Sequence, residues 1–282
     1  MNFLKRILIA PFYFLFWIGF IYSKFLKFLN NTFYTKWHDL CLRYIDKEKI
    51  RISHTSSKKI KYQLEFYTPN SRSKNRIITF SKKEPETLEW IESQKKDKCF
   101  FDIGANIGIY SVYNSIVNEG KTYCFEPSGF NTLQLIKNIN LNNLQEKITV
   151  ITNPLAAVDE ISNLFLDKLD TGASEVFFGR KVYSEVKKKK EKKEDGFYVR
   201  SFGISIDTLL EKKVIPVPNY IKIDVDGSEE DILKGSKKAL AHNDCRSILI
   251  EVNDLISSSE TEKILLECGF KCSFKNSKNK NQ

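Results

Sequence analysis

Carboxylates recur in this chain at the ends of apolar runs, and that placement decides what chemistry it could do. Phe100-Phe101-Asp102-Ile103-Gly104-Ala105-Asn106-Ile107-Gly108 ends a hydrophobic run in an acid, then turns through D-x-G-x-N-x-G into the helix-like Ile109 to Tyr113. A buried parallel strand that feeds a glycine turn and a helix N-terminus presents a ligand crevice at its carboxyl end. The glycines allow close backbone approach, and Asp102 and Asn106 add polar groups directed at a ligand. The pattern differs from the dinucleotide fingerprint G-x-G-x-x-G: an acid precedes the first glycine, and Asn106 takes the place of the second. An acid is a poor neighbour for a pyrophosphate and a good one for a sulfonium and an ammonium. The expected ligand is therefore S-adenosylmethionine.

Further acids follow the same rule. Glu126 closes the strand-like Lys121 to Phe125, 24 residues after Asp102, where an acid can accept hydrogen bonds from both ribose hydroxyls. In Tyr220 to Gly227, Lys222, Asp224 and Asp226 alternate with Ile221, Ile223 and Val225, so the charges share one side of a strand. Charges in a central strand are costly unless paired or used. Glu229, Glu230 and Asp231 also suit a helix N-terminus. Glu251 and Asn253 end another apolar run and are candidates for the substrate pocket.

Methyl transfer to a hydroxyl needs alignment of donor and acceptor and a base for the proton. The only histidines are His38, His54 and His242. The first two precede the catalytic region, and the third lies before the fifth strand at the opposite edge of the sheet. A carboxylate base is the better expectation, with Asp226 or Glu229 ahead of Asp224. Asp224 with Asp226 could instead hold a divalent cation, but two carboxylates without a third ligand fall short of a site, and no metal is assigned.

The elements that position these groups read as an α/β fold. Strands are expected in the apolar run that ends in Asp102 and at 121–127, 147–152, 220–227 and 247–253, with a crossover helix over Phe130 to Leu141 packing through Leu133, Ile136 and Ile139. Nearly continuous apolar strands separated by helices imply a mostly parallel sheet covered on both faces. Upstream, Thr32 to Ile45 reads as helix, Ile60 to Phe66 and Arg76 to Phe80 as short strands, and Pro85 to Glu92 as a helix with proline in its first turn. Ser259 to Cys268 reads as helix and Phe270 to Phe274 as a sixth strand.

The ordered set Glu84-Pro85-Glu86-Thr87-Leu88-Glu89-Trp90-Ile91, Phe101 to Ser111, Phe125-Glu126-Pro127, Ile221 to Glu229 and Ile250-Glu251-Val252 resembles the FkbM-type methyltransferases. The resemblance covers about residues 80 to 255. It implies a Rossmann-like class I, seven-stranded fold and methyl transfer from S-adenosylmethionine to a hydroxyl of a sugar, glycolipid or natural product. Carried over by position, Gly104, Ala105, Asn106 and Gly108 form the loop, Asp102 lies near the methionine amino group, and Glu126 holds the ribose. The family usually has Glu where this chain has Asp226, and residues 186 to 196 look like an insertion.

The expected organisation is a hydrophobic membrane-associating segment at 1–30, an extension with a small β unit at 31–83, a methyltransferase domain at 84–275 and a disordered tail at 276–282. Ile7 to Tyr22 is uncharged and flanked by Lys5-Arg6 and by Lys24 and Lys27. It is short for a spanning helix and interrupted by Pro11, and its basic residues share one face, so it could span or lie in the interface. If it spans, more Lys and Arg follow than precede it, which places the catalytic domain in the cytoplasm. The six cysteines lack metal spacing and fit a reducing compartment. Six lysines among residues 187–193 read first as a solvated loop. The formal charge of +10 does not imply nucleic acid, because no aromatic residues interleave the lysines. Partners are a glycan, lipid-linked or small-molecule substrate and the membrane; oligomeric state is not legible. Two rivals stand: a nicotinamide oxidoreductase, and a catalytically silent membrane adaptor of the same fold.

Overall fold

The computed structural model describes residues 14–15, 17–25, 27–28, 31–45, 48–174, 176–179, 197–252 and 258–275. The chain forms two compact units, Met1–Glu48 and Lys49–Gln282. In the first, residues 17–25 are helical and Trp17, Phe20 and Phe25 are exposed; helix α1 follows at Asn31–Ile45. Among the described residues no helix is long and apolar enough to cross a membrane, so the expected spanning segment is not found there. The lysine-rich loop at 186–196, the tail at 276–282 and Asn253 lie outside the described residues.

The second unit opens with the hairpin β1 (Lys49–Thr55) and β2 (Lys61–Tyr67), then α2 (Ser71–Ile78), α3 (Phe80–Lys83) and α4 (Pro85–Ser93). The alternation follows as β3 (Phe100–Ile103), α5 (Ile109–Val117), β4 (Thr122–Phe125), α6 (Gly129–Leu141) and β5 (Ile148–Ile151). A three-stranded antiparallel sheet comes next, from β6 (Glu160–Leu166), β7 (Val176–Phe178) and β8 (Phe197–Gly203), in the order β7-β6-β8. The chain closes with α7 (Ile206–Glu211), β9 (Tyr220–Ile223), α8 (Glu229–Lys234), α9 (Lys237–Leu240), β10 (Ser247–Ile250) and α10 (Ser258–Glu267).

The central sheet has five parallel strands in the order β10-β9-β3-β4-β5. Its strands are short, and β3 and β9 are buried throughout, as strands covered on both faces must be. Phe100, Cys124 and Tyr220 pack with Val112 and Tyr113 on one face. Phe101, Ile103, Ile221 and Ile223 pack with Ile232 and Leu233 on the other. The connection from β3 passes to β4 on one side, while β9 joins on the other, so strand order reverses beside β3. That is where a crevice opens at the carboxyl ends of the strands.

Three expectations need correcting. Arg76 to Phe80 is not a strand: Asn70 caps α2 by accepting from Ser73 N at 2.8 Å, and Ile77 and Phe80 fall on one buried face. Capping and i, i+3 burial override the β-branched composition. Phe270 to Phe274 forms no strand, and 271–275 are exposed; alternation alone makes no strand without an edge to pair with. Of the implied seven strands, the parallel sheet has five among the described residues, with the antiparallel three apart.

Helix α6 is turned around relative to its expected packing. Leu133 and Ile136 are 57% and 50% exposed, while Asn131, Gln134 and Asn138 are buried beside Leu135 and Ile139. The cause is the free edge of β2. Asn142 accepts from Glu65 N at 3.1 Å and donates to Glu65 O at 2.7 Å. Asn138 accepts from Tyr67 N at 3.0 Å, and Gln134 donates to Tyr67 O at 2.8 Å. Side-chain amides at helical spacing thus pair an edge that would otherwise carry orphan backbone groups.

Candidate active site

The turn after β3 is closed by backbone geometry. Gly104 and Gly108 have φ of +80° and +82°, a region open to glycine and strained for residues with a Cβ. A Cβ on Gly104 would stand 2.0 Å from Asp224 O, and one on Gly108 would stand 2.2 Å from Leu135 Cδ1. Asn106 also adopts a left-handed φ of +52°, which Asn tolerates better than most residues. Its side chain is not aimed at a ligand, contrary to expectation. It donates to Ala173 O at 2.8 Å and accepts from Ile107 N at 3.0 Å. Asn131 reinforces that clasp, donating to Ala173 O at 2.9 Å and accepting from Gly172 N at 2.8 Å.

Glu126, just past β4, is 4% exposed. Its oxygens accept from Asn106 N and Ser128 N, both at 2.8 Å. A carboxylate has about four acceptor positions, and with the Asn131 side chain also acting on it, room is left for a ribose hydroxyl. Burial pushes its pKa up to about 7, against the pull of these amides.

Asp102 is fully buried and stands in register with Cys124 and Lys222 on the neighbouring strands. Ser111 donates to its Oδ2, while Oδ1 has no hydrogen-bond partner among the described residues. Burial raises its pKa, and Lys222 opposes that rise. Lys222 is itself nearly buried, places its ammonium 2.9 Å from Asp224 Oδ2 and lies 4.7 Å from the centre of the Tyr110 ring. A buried ammonium requires such partners. Asp224, 36% exposed in its side chain, follows the end of β9. Burial would raise its pKa, but Lys222, joined by Lys83 and Arg76, outweighs it and holds the carboxyl below its usual value.

Sequence reasoning quoted Glu84 within a motif without giving it a role. It is 4% exposed, accepts from Tyr110 Oη at 2.8 Å and pairs with Lys83 at 3.1 Å. Oxygens of Glu84, Asp224 and Glu251 lie within 4.8 Å of one another, a grouping that could hold a cation. The signal for Glu84 was its place before a helix whose first residue is proline. Glu229 is 1% exposed; its Oε1 accepts from Gly227 N at 3.1 Å, and its Oε2 has no partner among the described residues. Burial pushes its pKa up to about 7. Asp226 lies close enough to Glu229 to contribute to that rise. His54, by contrast, is committed to Ser81 at 2.9 Å and Glu92 at 3.1 Å.

A mostly apolar crevice beside the turn is lined by Gly104, Phe125, Pro127 and Asn153 from the carboxyl ends of the parallel strands and by Leu164 and Phe178 from the antiparallel sheet. These residues fit S-adenosylmethionine. The orphan Asp102 Oδ1 suits an ammonium, the remaining capacity of Glu126 suits a ribose, and the crevice suits a flat base. A site for pyrophosphate would offer amides and cations where this one offers acids.

Residues 102–272 match the family described as the methyltransferase FkbM domain. The chain belongs to that family. The hexuronic acid methyltransferase AglP of Haloferax volcanii is 25% identical over 177 residues, spanning 63% of this chain and 65% of that protein. The FkbM methyltransferase structure from Methylobacillus flagellatus has a TM-score of 0.36 at 18% identity, over 62% of this chain and 36% of its own. The precorrin-6Y C5,15-methyltransferase of Geobacter metallireducens has a TM-score of 0.40 at 12% identity, over 72% of this chain and 74% of its own. The chain therefore spans less than two thirds of the Haloferax relative's length, and the structural likenesses are too distant to assign any residue a role.

Proposed function

We propose that this chain transfers a methyl group from S-adenosylmethionine to a hydroxyl of a glycan, glycolipid or related metabolite near the membrane. One observation carries the reading: Asp102, Glu126 and Asp224 surround the tight Gly104 turn, an acidic setting that suits a cationic cofactor and disfavours a pyrophosphate. The family and the activity of the Haloferax relative, a hexuronic acid methyltransferase, support a methyltransferase acting on a sugar. The uncharged run at Ile7 to Tyr22, with basic residues at both ends, supports membrane association with the catalytic unit in the cytoplasm.

S-adenosylmethionine, when bound, supplies an electrophilic methyl carbon on a sulfonium. The chain's part is to hold and align. Asp102 would receive the amino group and Glu126 a ribose hydroxyl, while the loop from Gly104 to Gly108 would let the backbone close on the donor. Geometry ranks the candidate bases differently from the sequence. Asp224 is open to solvent and ionised beside Lys222, whereas Glu229 is closed in. A base must first reach the proton, and an oxygen being alkylated becomes so acidic that a weak base suffices. Asp224 is the assigned base, with Glu251 beside it on the acceptor side. Glu229 and Asp226 would shape the turn that carries Asp224.

Calorimetric titration of the full chain with S-adenosylhomocysteine, with NADH in parallel, tests the reading. Saturable binding of S-adenosylhomocysteine alone is the expected result. Binding of NADH alone would turn the assignment to an oxidoreductase, and binding of neither by folded protein would favour the adaptor.

A further inference from the structure

We propose that the basic segment α2–α3 reads an anionic group, a carboxylate or a phosphate, that the acceptor carries beside the hydroxyl to be methylated. Arg76 is the residue that receives it. The inference rests on the methyltransferase activity proposed above and names the class of acceptor for that same site.

The sequence supplies the charge. From Ser71 to Lys83 the chain carries Arg72, Lys74, Arg76, Lys82 and Lys83 and no acid. Such a run is ordinarily a solvated face, and Lys74 and Lys82 are exposed in keeping with that. Lys83 and Arg76 are placed differently. Lys83 holds Glu84 at 3.1 Å, and oxygens of Glu84, Asp224 and Glu251 lie within 4.8 Å of one another. The end of α3 therefore stands beside the assigned base.

Arg76 is fixed from another direction. It is half-buried, and its Nε donates to Gly172 O at 2.9 Å. The next carbonyl, Ala173 O, accepts from the Asn106 side chain at 2.8 Å. Asn106 belongs to the turn whose Gly104 abuts Asp224 O. A short path of contacts thus runs from Arg76 to Asp224, and the Arg76 charge is among those that hold Asp224 below its usual pKa.

The other cations at this edge are matched, Lys222 by Asp224 and Lys83 by Glu84. Arg76 has no acid at ion-pair distance among the described residues, and its two terminal nitrogens have no hydrogen-bond partner among them. A guanidinium oriented through Nε presents those nitrogens side by side, the fork that carboxylate and phosphate oxygens match. The mouth of the site is therefore polar in one direction, with carboxylates at the strand ends and cations on α2–α3. A neutral sugar engages only the first. An acceptor with an anion next to its hydroxyl engages both, and is oriented as well as held.

The test uses the full chain, labelled S-adenosylmethionine and three acceptors: methyl glucoside, the matching uronic acid glycoside, and the glucoside phosphorylated at the same carbon. One of the anionic pair should be methylated with kcat/KM at least about tenfold above the neutral sugar, and which one it is separates carboxylate from phosphate. Arg76→Gln should raise KM for that acceptor about tenfold or more and leave kcat within about threefold, with affinity for S-adenosylhomocysteine changed less than about twofold. Arg76→Lys, which keeps the charge without the fork, should recover only part of the loss. Equal or better use of the neutral sugar overturns the proposal. So does an Arg76→Gln variant that loses S-adenosylhomocysteine as severely as the acceptor, because Arg76 would then be only a clasp on Gly172. Label released by mild base would mark a methyl ester, with the anion itself as the reacting group, and overturns it too. An unchanged acceptor preference in Arg76→Gln, with weaker binding to phosphatidylglycerol vesicles, would give the segment to the membrane instead. Methylation of none of the three by protein that binds S-adenosylhomocysteine removes the proposed acceptor class. No binding of S-adenosylhomocysteine by folded protein removes the methyltransferase reading beneath it.

Discussion

Glu126 and Asp224 flank β3 at the same edge of one sheet, and their acidities move in opposite directions. Both experience the penalty of burial. Glu126 receives only uncharged donors, two backbone N–H groups and the Asn131 side chain, and burial prevails, taking it up to about 7. Asp224 has an ammonium 2.9 Å away, and that charge prevails over burial. The charge carried by the donor, more than the depth of the site, decides which acid is ionised at neutral pH. The structure thus provides one acid poised near neutrality after β4 and one held below its ordinary pKa after β9.

The comparison breaks most severely at Lys222. Replacing it by Met leaves Asp224 and Asp102 without their buried counter-ion, and urea unfolding at pH 7 should show a loss of about 3–5 kcal/mol. A loss under about 1 kcal/mol would mean that the ammonium is not what settles Asp224. Next in size is Asp224→Asn. It should lower kcat at least about 100-fold in a labelled-donor assay, while binding of S-adenosylhomocysteine weakens less. A variant with near wild-type kcat would return the base to Glu229 or Asp226.

Glu126→Gln sharpens the other side. A carboxyl whose folded pKa lies near 7, above its ordinary 4.5, adds stability below the unfolded value and loses it as pH rises through the folded one. The wild type should therefore lose stability between pH 5 and pH 8, and Glu126→Gln should lose less. Roughly 3 kcal/mol is the ceiling on that difference. Thermal melts at the two pH values read it, and identical pH slopes would remove the raised pKa. The smallest expected effect is at Asn131→Ala, which deletes the clasp on Gly172 and Ala173. It should cost about 1–2 kcal/mol in unfolding and, because the Asn131 side chain also helps hold Glu126 ionised, leave the pH slope slightly steeper than in the wild type.

Much of this edge was legible in the chain, because strand-end acids and a glycine turn are local signals. Asp102, Gly104, Gly108, Glu126 and Asp224 could be placed from apolar runs and spacing. What escaped was long-range. Glu84 belongs to the site because α4 brings it beside Tyr110 and Lys222, more than a hundred residues away in sequence for the lysine. The opposite settings of Glu126 and Asp224 depend on which donors converge on each, and periodicity carries no such information. Helix α6 misled for a related reason. Its apolar spacing was real, but the unpaired edge of β2 took the amide face. Arg76 to Phe80 had strand-like composition, and a single cap at Asn70 decided for helix. The side chain of Asn106 went to Ala173, a partner 67 residues away.

The most direct test of the cofactor site is binding of S-adenosylhomocysteine to the full chain at pH 6 and pH 8, in the wild type and in Glu126→Gln. If the ionised Glu126 receives the ribose, the competent fraction grows from about a tenth to about nine tenths, and wild-type affinity rises about tenfold. The variant should bind more weakly and show little pH dependence. Absence of binding by the folded wild type, or the same pH dependence in both proteins, would contradict the account.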